Sequence, residues 1–125
     1  METIRIASTK NSPEVTLDFE NGIAEVAGES YPENAVSFFK PVFEWLNHTI
    51  SQKKPFKFLF KLDYFNTSSS KCIIDILDLL QIYHTNGGKI NVEWYYRQDD
   101  EDMKDTGEEF LEDVVLVSPD LGGLR

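Results

Sequence analysis

A chain of 125 residues is about the length that one hydrophobic core organises, so a single domain spanning 1–125 is expected. With 41% hydrophobic and 13% aromatic residues there is enough apolar mass for a packed interior, which excludes global disorder. A formal charge of -10 repels phosphate backbones and anionic lipid, so nucleic acid and membrane surfaces are excluded as partners.

Short runs at Thr3 to Ala7, Val15 to Phe19 and Ile23 to Ala27 read as strands, the last two joined by the turn residues Glu20, Asn21 and Gly22. Ser30-Tyr31-Pro32-Glu33 then combines a capping hydroxyl, a first-turn proline and a glutamate three residues on, which predicts a helix beginning there. That helix should reach about Gln52, with Ala35, Phe38, Phe39, Val42, Leu46 and Ile50 inward and a kink at Pro41. In Phe56 to Tyr64 the alternation places Phe56, Phe58, Phe60 and Leu62 on one face, the strongest strand signal in the chain. A helix over Ser70 to Thr85 follows, with Asn66 or Thr67 as its cap and Asn86-Gly87-Gly88 as its left-handed stop. Lys89 to Tyr96 alternates again, Asp99 to Glu112 reads as a third helix, and Val114 to Val117 could close the sheet, leaving Gly122-Gly123 in a loose tail. The order β-β-β-α-β-α-β-α-β implies an α/β fold with right-handed crossovers and a mixed sheet.

Catalytic constellations fail on spacing. Cys72 and His84 fall on one predicted helix, roughly 18 Å apart at 1.5 Å per residue, so they cannot act as nucleophile and base. The two histidines lack ligands at metal spacing, and Lys104 stands where an EF-hand beginning at Asp100 and Asp102 needs an oxygen. No phosphate-binding glycine loop and no G-x-S-x-G elbow occurs. No metal, no cofactor and no enzyme activity are expected. The single cysteine, the short apolar runs and an N-terminus unlike a signal peptide point to a cytoplasmic protein without a membrane span.

What stands out is Asp63-Tyr64-Phe65-Asn66-Thr67-Ser68-Ser69-Ser70-Lys71, a β-to-α junction at the carboxyl end of the sheet, where such folds carry their functional groups. One cap needs one hydroxyl, and four stand in a row. A phosphoryl group here would meet first-turn amides, the positive end of the helix dipole and Lys71. At 100° per residue the following helix turns Cys72, Ile73, Ile76, Leu77, Leu80 and Tyr83 inward, and Lys71, Ile74, Asp75, Asp78 and Ile82 outward. Isoleucines among charges on an outward stripe suggest a docking surface, unless the first helix covers them.

Ser30-Tyr31-Pro32-Glu33-Asn34, Tyr64-Phe65-Asn66-Thr67-Ser68-Ser69 before Ile76-Leu77-Asp78-Leu79-Leu80, and Val92-Glu93-Trp94-Tyr95-Tyr96 together resemble the SiaC family of bacterial regulatory phosphoproteins, over roughly Pro13 to Asp113. The resemblance implies a STAS-like fold, as in anti-sigma-factor antagonists, and a non-catalytic partner switch. It further implies a serine/threonine kinase with a histidine-kinase-like ATPase fold, a PP2C-type phosphatase, and a diguanylate cyclase bound by the unphosphorylated form. Carried over, the acceptor is Thr67; antagonists with Asp-Ser-Ser-Gly at this junction modify the second hydroxyl, which would be Ser68. Asn66, Ser69, Ser70 and Lys71 surround the site, and Ile74, Asp75, Asp78 and Ile82 form the partner-binding stripe. The contrasting expectation is a constitutive adaptor whose acidic segment Arg97 to Asp113, with nine acids and two bases, captures a basic partner whatever the state of Thr67.

Overall fold

The computed structural model describes residues 2–112 and 118–124. Three strands open it: β1 (Ile4–Ile6), β2 (Glu14–Asp18) and β3 (Ile23–Ser30). The turn after β2 forms because the Asp18 carboxylate accepts from both the backbone and the side-chain amide of Asn21, and Gly22 takes φ 65°. Those two bonds hold the Asp18 carboxyl below its usual range.

Then α1 (Ala35–Ser51), β4 (Phe56–Phe65), α2 (Thr67–Thr85), β5 (Ile90–Arg97), α3 (Glu101–Glu112) and β6 (Ser118–Leu124) follow in turn. The strands form one sheet in chain order, antiparallel from β1 to β3 and parallel from β3 to β6. Parallel neighbours taken in sequence, each joined by a right-handed crossover, put all three helices on the same face of the sheet. Burial follows that rule: Val15, Leu17, Ala24, Val26, Phe58, Phe60, Leu62, Val92 and Trp94 lie beneath the helices. The opposite face carries paired charges, Lys61 with Glu25, Lys57 with Glu93 and Arg97 with Asp63. The mixed α/β architecture and element order match the sequence expectation.

Several local expectations are corrected. Ser30 does not cap α1. It ends β3 fully buried, and Asn34 is the cap, its Oδ1 accepting from the Ser37 amide at 3.0 Å. The helix continues through Pro41; of the expected stripe it buries Ala35, Phe39, Val42 and Leu46 and half-buries Phe38 and Ile50, and it buries Trp45 and Thr49 besides. Helix α2 starts at Thr67, earlier than the apolar pattern indicates, because a polar first turn contributes nothing to the pattern. Helix α3 starts at Glu101, capped by Asp100 through the Met103 amide. Val114 to Val117 lie outside the described residues, and the closing strand is Ser118–Leu124. Gly122 and Gly123 are no loose tail: they pair with Tyr95 and Tyr96 of β5.

One irregularity matters for the site. Opposite the step from Gly28 to Glu29, β4 carries an extra residue, so Leu62 pairs with Gly28 but Tyr64 with Glu29. A slip of one residue reverses which face each side chain takes. Tyr64, which strict alternation would bury with Leu62, is therefore half exposed, and Phe65 turns inward against Trp94 and Phe110.

Trp94 is also where α3 docks. Its indole donates to the Met103 carbonyl at 3.1 Å, and a Cβ on Gly107 would run into the ring. Glycine inside a helix costs about 1 kcal/mol relative to alanine, whereas overpacking a fixed aromatic costs about 1–3 kcal/mol. Gly107→Ala should therefore lower stability, by up to about 2 kcal/mol in urea unfolding, in spite of alanine's better helix propensity. A stabilised variant would mean that α3 does not rest on Trp94.

Candidate functional site

The site is a corner built from the end of β3 and the junction between β4 and α2. Asn66 has the extended backbone of a helix cap, and its Oδ1 accepts from the Ser69 amide at 2.9 Å. Its own amide donates to the Ser30 carbonyl at 3.0 Å, which extends the β3–β4 pairing into the junction. Behind it, the Ser30 and Ser69 hydroxyls bond to one another at 2.8 Å, both fully buried. A hydroxyl taken out of water needs a partner, and here each supplies the other.

The four hydroxyls thus divide by job. Ser69 is locked in the interior by Ser30, and Ser70 Oγ donates to the Thr67 carbonyl at 3.0 Å. Thr67 and Ser68 stand exposed, at the first two positions of the helix. Their amides have no acceptor among the described residues, since the single cap is used on Ser69. The corner therefore offers two open N–H donors at the positive end of the helix dipole, with Lys71 exposed one turn further on.

From this corner a stripe runs down α2. Thr67, Lys71, Ile74, Asp75, Asp78 and Ile82 fall within about 100° of arc at 100° per residue, and all six are exposed. Ile74 is 42% and Ile82 58% exposed, so α1 does not cover them. The opposite arc, Cys72, Ile73, Ile76, Leu77, Leu80 and Tyr83, is buried as the pattern predicts. Burial, and next to it the Asp75 carboxylate, pushes the Cys72 thiol up, so it stays protonated and unreactive at neutral pH.

The sequence pattern missed the aromatic rim of the corner. Tyr31 and Tyr64 meet edge to face, ring centres 6.0 Å apart, both on the surface, and the Tyr31 hydroxyl donates to the Lys10 carbonyl at 2.9 Å. Tyr64 reaches the rim through the strand slip, which a rule of alternation cannot register. Val36, in the first turn of α1, adds a side chain that is 75% exposed at the same end of the sheet. No cluster of metal-binding side chains exists among the described residues, and no described helix is long and apolar enough to cross a membrane.

Two substitutions test how the corner is held. Asn66→Ala should lose about 1 kcal/mol with the cap. Ser30→Ala or Ser69→Ala should each cost about 1–3 kcal/mol by stranding the other hydroxyl, while the double variant costs less than their sum. Strictly additive losses in a double-mutant unfolding cycle would mean that the two hydroxyls do not depend on each other.

Comparison with known proteins gives a consistent set of relatives. The sequence model of the SiaC family regulatory phosphoproteins matches residues 6–120. An uncharacterized protein of Pseudomonas aeruginosa (strain UCBPP-PA14) is 34% identical over 114 residues, covering 90% of each chain. The crystal structure of apo-SiaC from Pseudomonas aeruginosa superposes with a TM-score of 0.88 at 32% identity, over 99% of this chain and 100% of that one. A chain in the crystal structure of the diguanylate cyclase SiaD in complex with its activator SiaC, from the same organism, gives 0.90 at 32% identity, over 95% of this chain and 98% of that one.

Proposed function

This chain belongs to the SiaC family of regulatory phosphoproteins, and from that premise we propose that it is a non-catalytic switch that binds and regulates a diguanylate cyclase while Thr67 is unmodified. The observation that carries the reading is the exposed Thr67 at the head of the exposed α2 stripe, on a corner that is braced from behind. The relative with which a diguanylate cyclase has been crystallised is named as that cyclase's activator, which supports the choice of output partner.

A serine/threonine kinase with a histidine-kinase-like ATPase fold would attach the phosphate, and a PP2C-type phosphatase would remove it. Both need a hydroxyl in reach. Thr67 and Ser68 meet that condition, and the buried Ser69 does not. Thr67 is the preferred acceptor, since it lies in line with the stripe, and Ser68 is the alternative.

A phosphothreonine at the first helical position would face the open amides of its own turn and the helix dipole, an arrangement that favours the anion by about 0.3–1 kcal/mol. The fold should accept it without rearrangement. The partner should not. The dianion would stand at the edge of the surface formed by Ile74, Asp75, Asp78 and Ile82, where like-charge contact and an immovable hydration shell oppose docking. The chain thus reports its modification through who binds it, and performs no chemistry itself.

Phosphopeptide mapping after incubation with the cognate kinase and ATP should place the label on Thr67, with Thr67→Ala unlabelled and Ser68→Ala labelled as the parent. Full labelling of Thr67→Ala would overturn the assignment. For the stripe, Ile74→Arg should weaken cyclase binding about tenfold or more while unfolding stays unchanged, because the side chain is already exposed. Unchanged affinity would remove Ile74 from the interface.

A further inference from the structure

At the opposite end of the sheet from Thr67, α1 and α2 finish side by side, and the groove between them has a volume of about 490 Å³. Its floor is apolar, made by Ile50, Leu79, Ile82 and Tyr83, and Lys53 and Lys89 stand on its rim. Among the described residues, no carboxylate lines it. This is unusual ground in a chain of charge -10. The stretches 45–62 and 79–92 contain no Asp or Glu and hold five of the twelve basic residues, and the fold brings Lys53, Lys54, Lys57 and Lys89 of those stretches to one end.

The four lysines are not equivalent. Lys57 pairs with Glu93 at 3.6 Å, and Lys54 lies over the Phe19 ring at 5.0 Å. Lys53 and Lys89 have no carboxylate partner among the described residues. An ordinary account would leave them there to offset the negative ends of two helix dipoles. The backbone argues for more at Lys53. Both helices end in the same capping motif. In α2 the Gly88 amide reaches the Tyr83 carbonyl and the Gly87 amide reaches that of His84, and in α1 the Lys54 and Lys53 amides reach Thr49 and Ile50. The left-handed position is Gly87, φ 94°, in α2, but in α1 it is Lys53, φ 54°. A side chain there is strained where glycine is not, and a residue held in such a conformation points to a use for its side chain.

Resting on the proposed reading, we propose that this groove receives an acidic segment of the same output partner, one apolar side chain on the floor and flanking carboxylates on Lys53 and Lys89. Ile82 connects the two surfaces, since it lines the groove and ends the α2 stripe about 23 Å from Thr67 at 1.5 Å per residue. Acidic segments are repelled from most of this molecule and drawn to this end, which fixes the direction in which a partner lies along α2.

Calorimetric titration of the full chain with the diguanylate cyclase of the same organism, at low and high salt, tests this. Lys53→Gly with Lys89→Gln should weaken binding about tenfold at low salt, with the difference closing as salt rises, while Lys53→Gly by itself leaves stability unchanged or higher. If the double variant binds as tightly as the parent while Ile74→Arg binds weakly, the groove is not part of the interface and the switch reading stands. If the parent does not bind the cyclase, both fall. Unchanged cyclase affinity together with a self-association that the lysine substitutions abolish would give the groove to the acidic α3 of a second copy, and would overturn the proposal.

Discussion

The contact between Ser30 and Ser69 is the constraint on which the site depends. It joins the end of a strand to the first turn of a helix thirty-nine residues later, by a bond from which water is excluded. With the Asn66 amide on the Ser30 carbonyl and the Asn66 side chain on the Ser69 amide, it fixes the corner from both backbone and side chain. Each bond alone is worth about 1 kcal/mol, but breaking the buried one strands a hydroxyl, so the corner is costly to open. A rigid corner is what lets an exposed neighbouring hydroxyl carry information. If the first turn of α2 frayed, a phosphate on it would change the local ensemble; on a first turn braced in this way, the proposed phosphate would change the surface instead.

The same division of labour recurs across the molecule. The buried arc of α2 holds the helix to the sheet, and the opposite arc is left exposed. A sheet covered by helices on one face needs only alternate residues of its strands for the core. The charges of the other face pair across strands, Lys57 with Glu93 and Lys61 with Glu25. The proposed site sits at an end of the sheet, where strands give way to helices and where alternation no longer dictates which way a side chain points. Tyr64 shows this: one extra residue in β4 places it on the rim of the corner and sends Phe65 to the core against Trp94.

Much of this was legible in the chain. Elements with a clean period, β4 and the apolar arc of α2, were placed almost to the residue, because their burial is decided locally by alternation or by the helical repeat. The same pattern marks the β4–α2 junction as a run of hydroxyls, while Thr67 within it is singled out by the family resemblance. What failed was non-local. Ser30 with Glu33 reads as a helix cap, and nothing near it in sequence reveals that Ser69 takes the hydroxyl and leaves the capping to Asn34. Strand β6 contains proline and paired glycines, poor strand formers that register only through backbone pairing with β5. The lysine end is invisible in the order of charges along the chain, because Lys53 and Lys89 come to one groove only in space. Of the hydroxyls beside Thr67, Ser69 is tied to Ser30 in the interior and Ser70 to the Thr67 carbonyl, bonds that no local pattern reveals.

The claim at the centre is that one phosphate on an unmoved fold decides binding, and comparing the Thr67-phosphorylated and unmodified chains for cyclase affinity tests it most directly. Desolvating a dianion at the edge of a docked surface costs several kcal/mol, so the phosphorylated chain should bind about a hundredfold more weakly or worse, with its unfolding transition preserved. Equal affinities, or a loss of binding that accompanies a collapse of stability, would contradict the account.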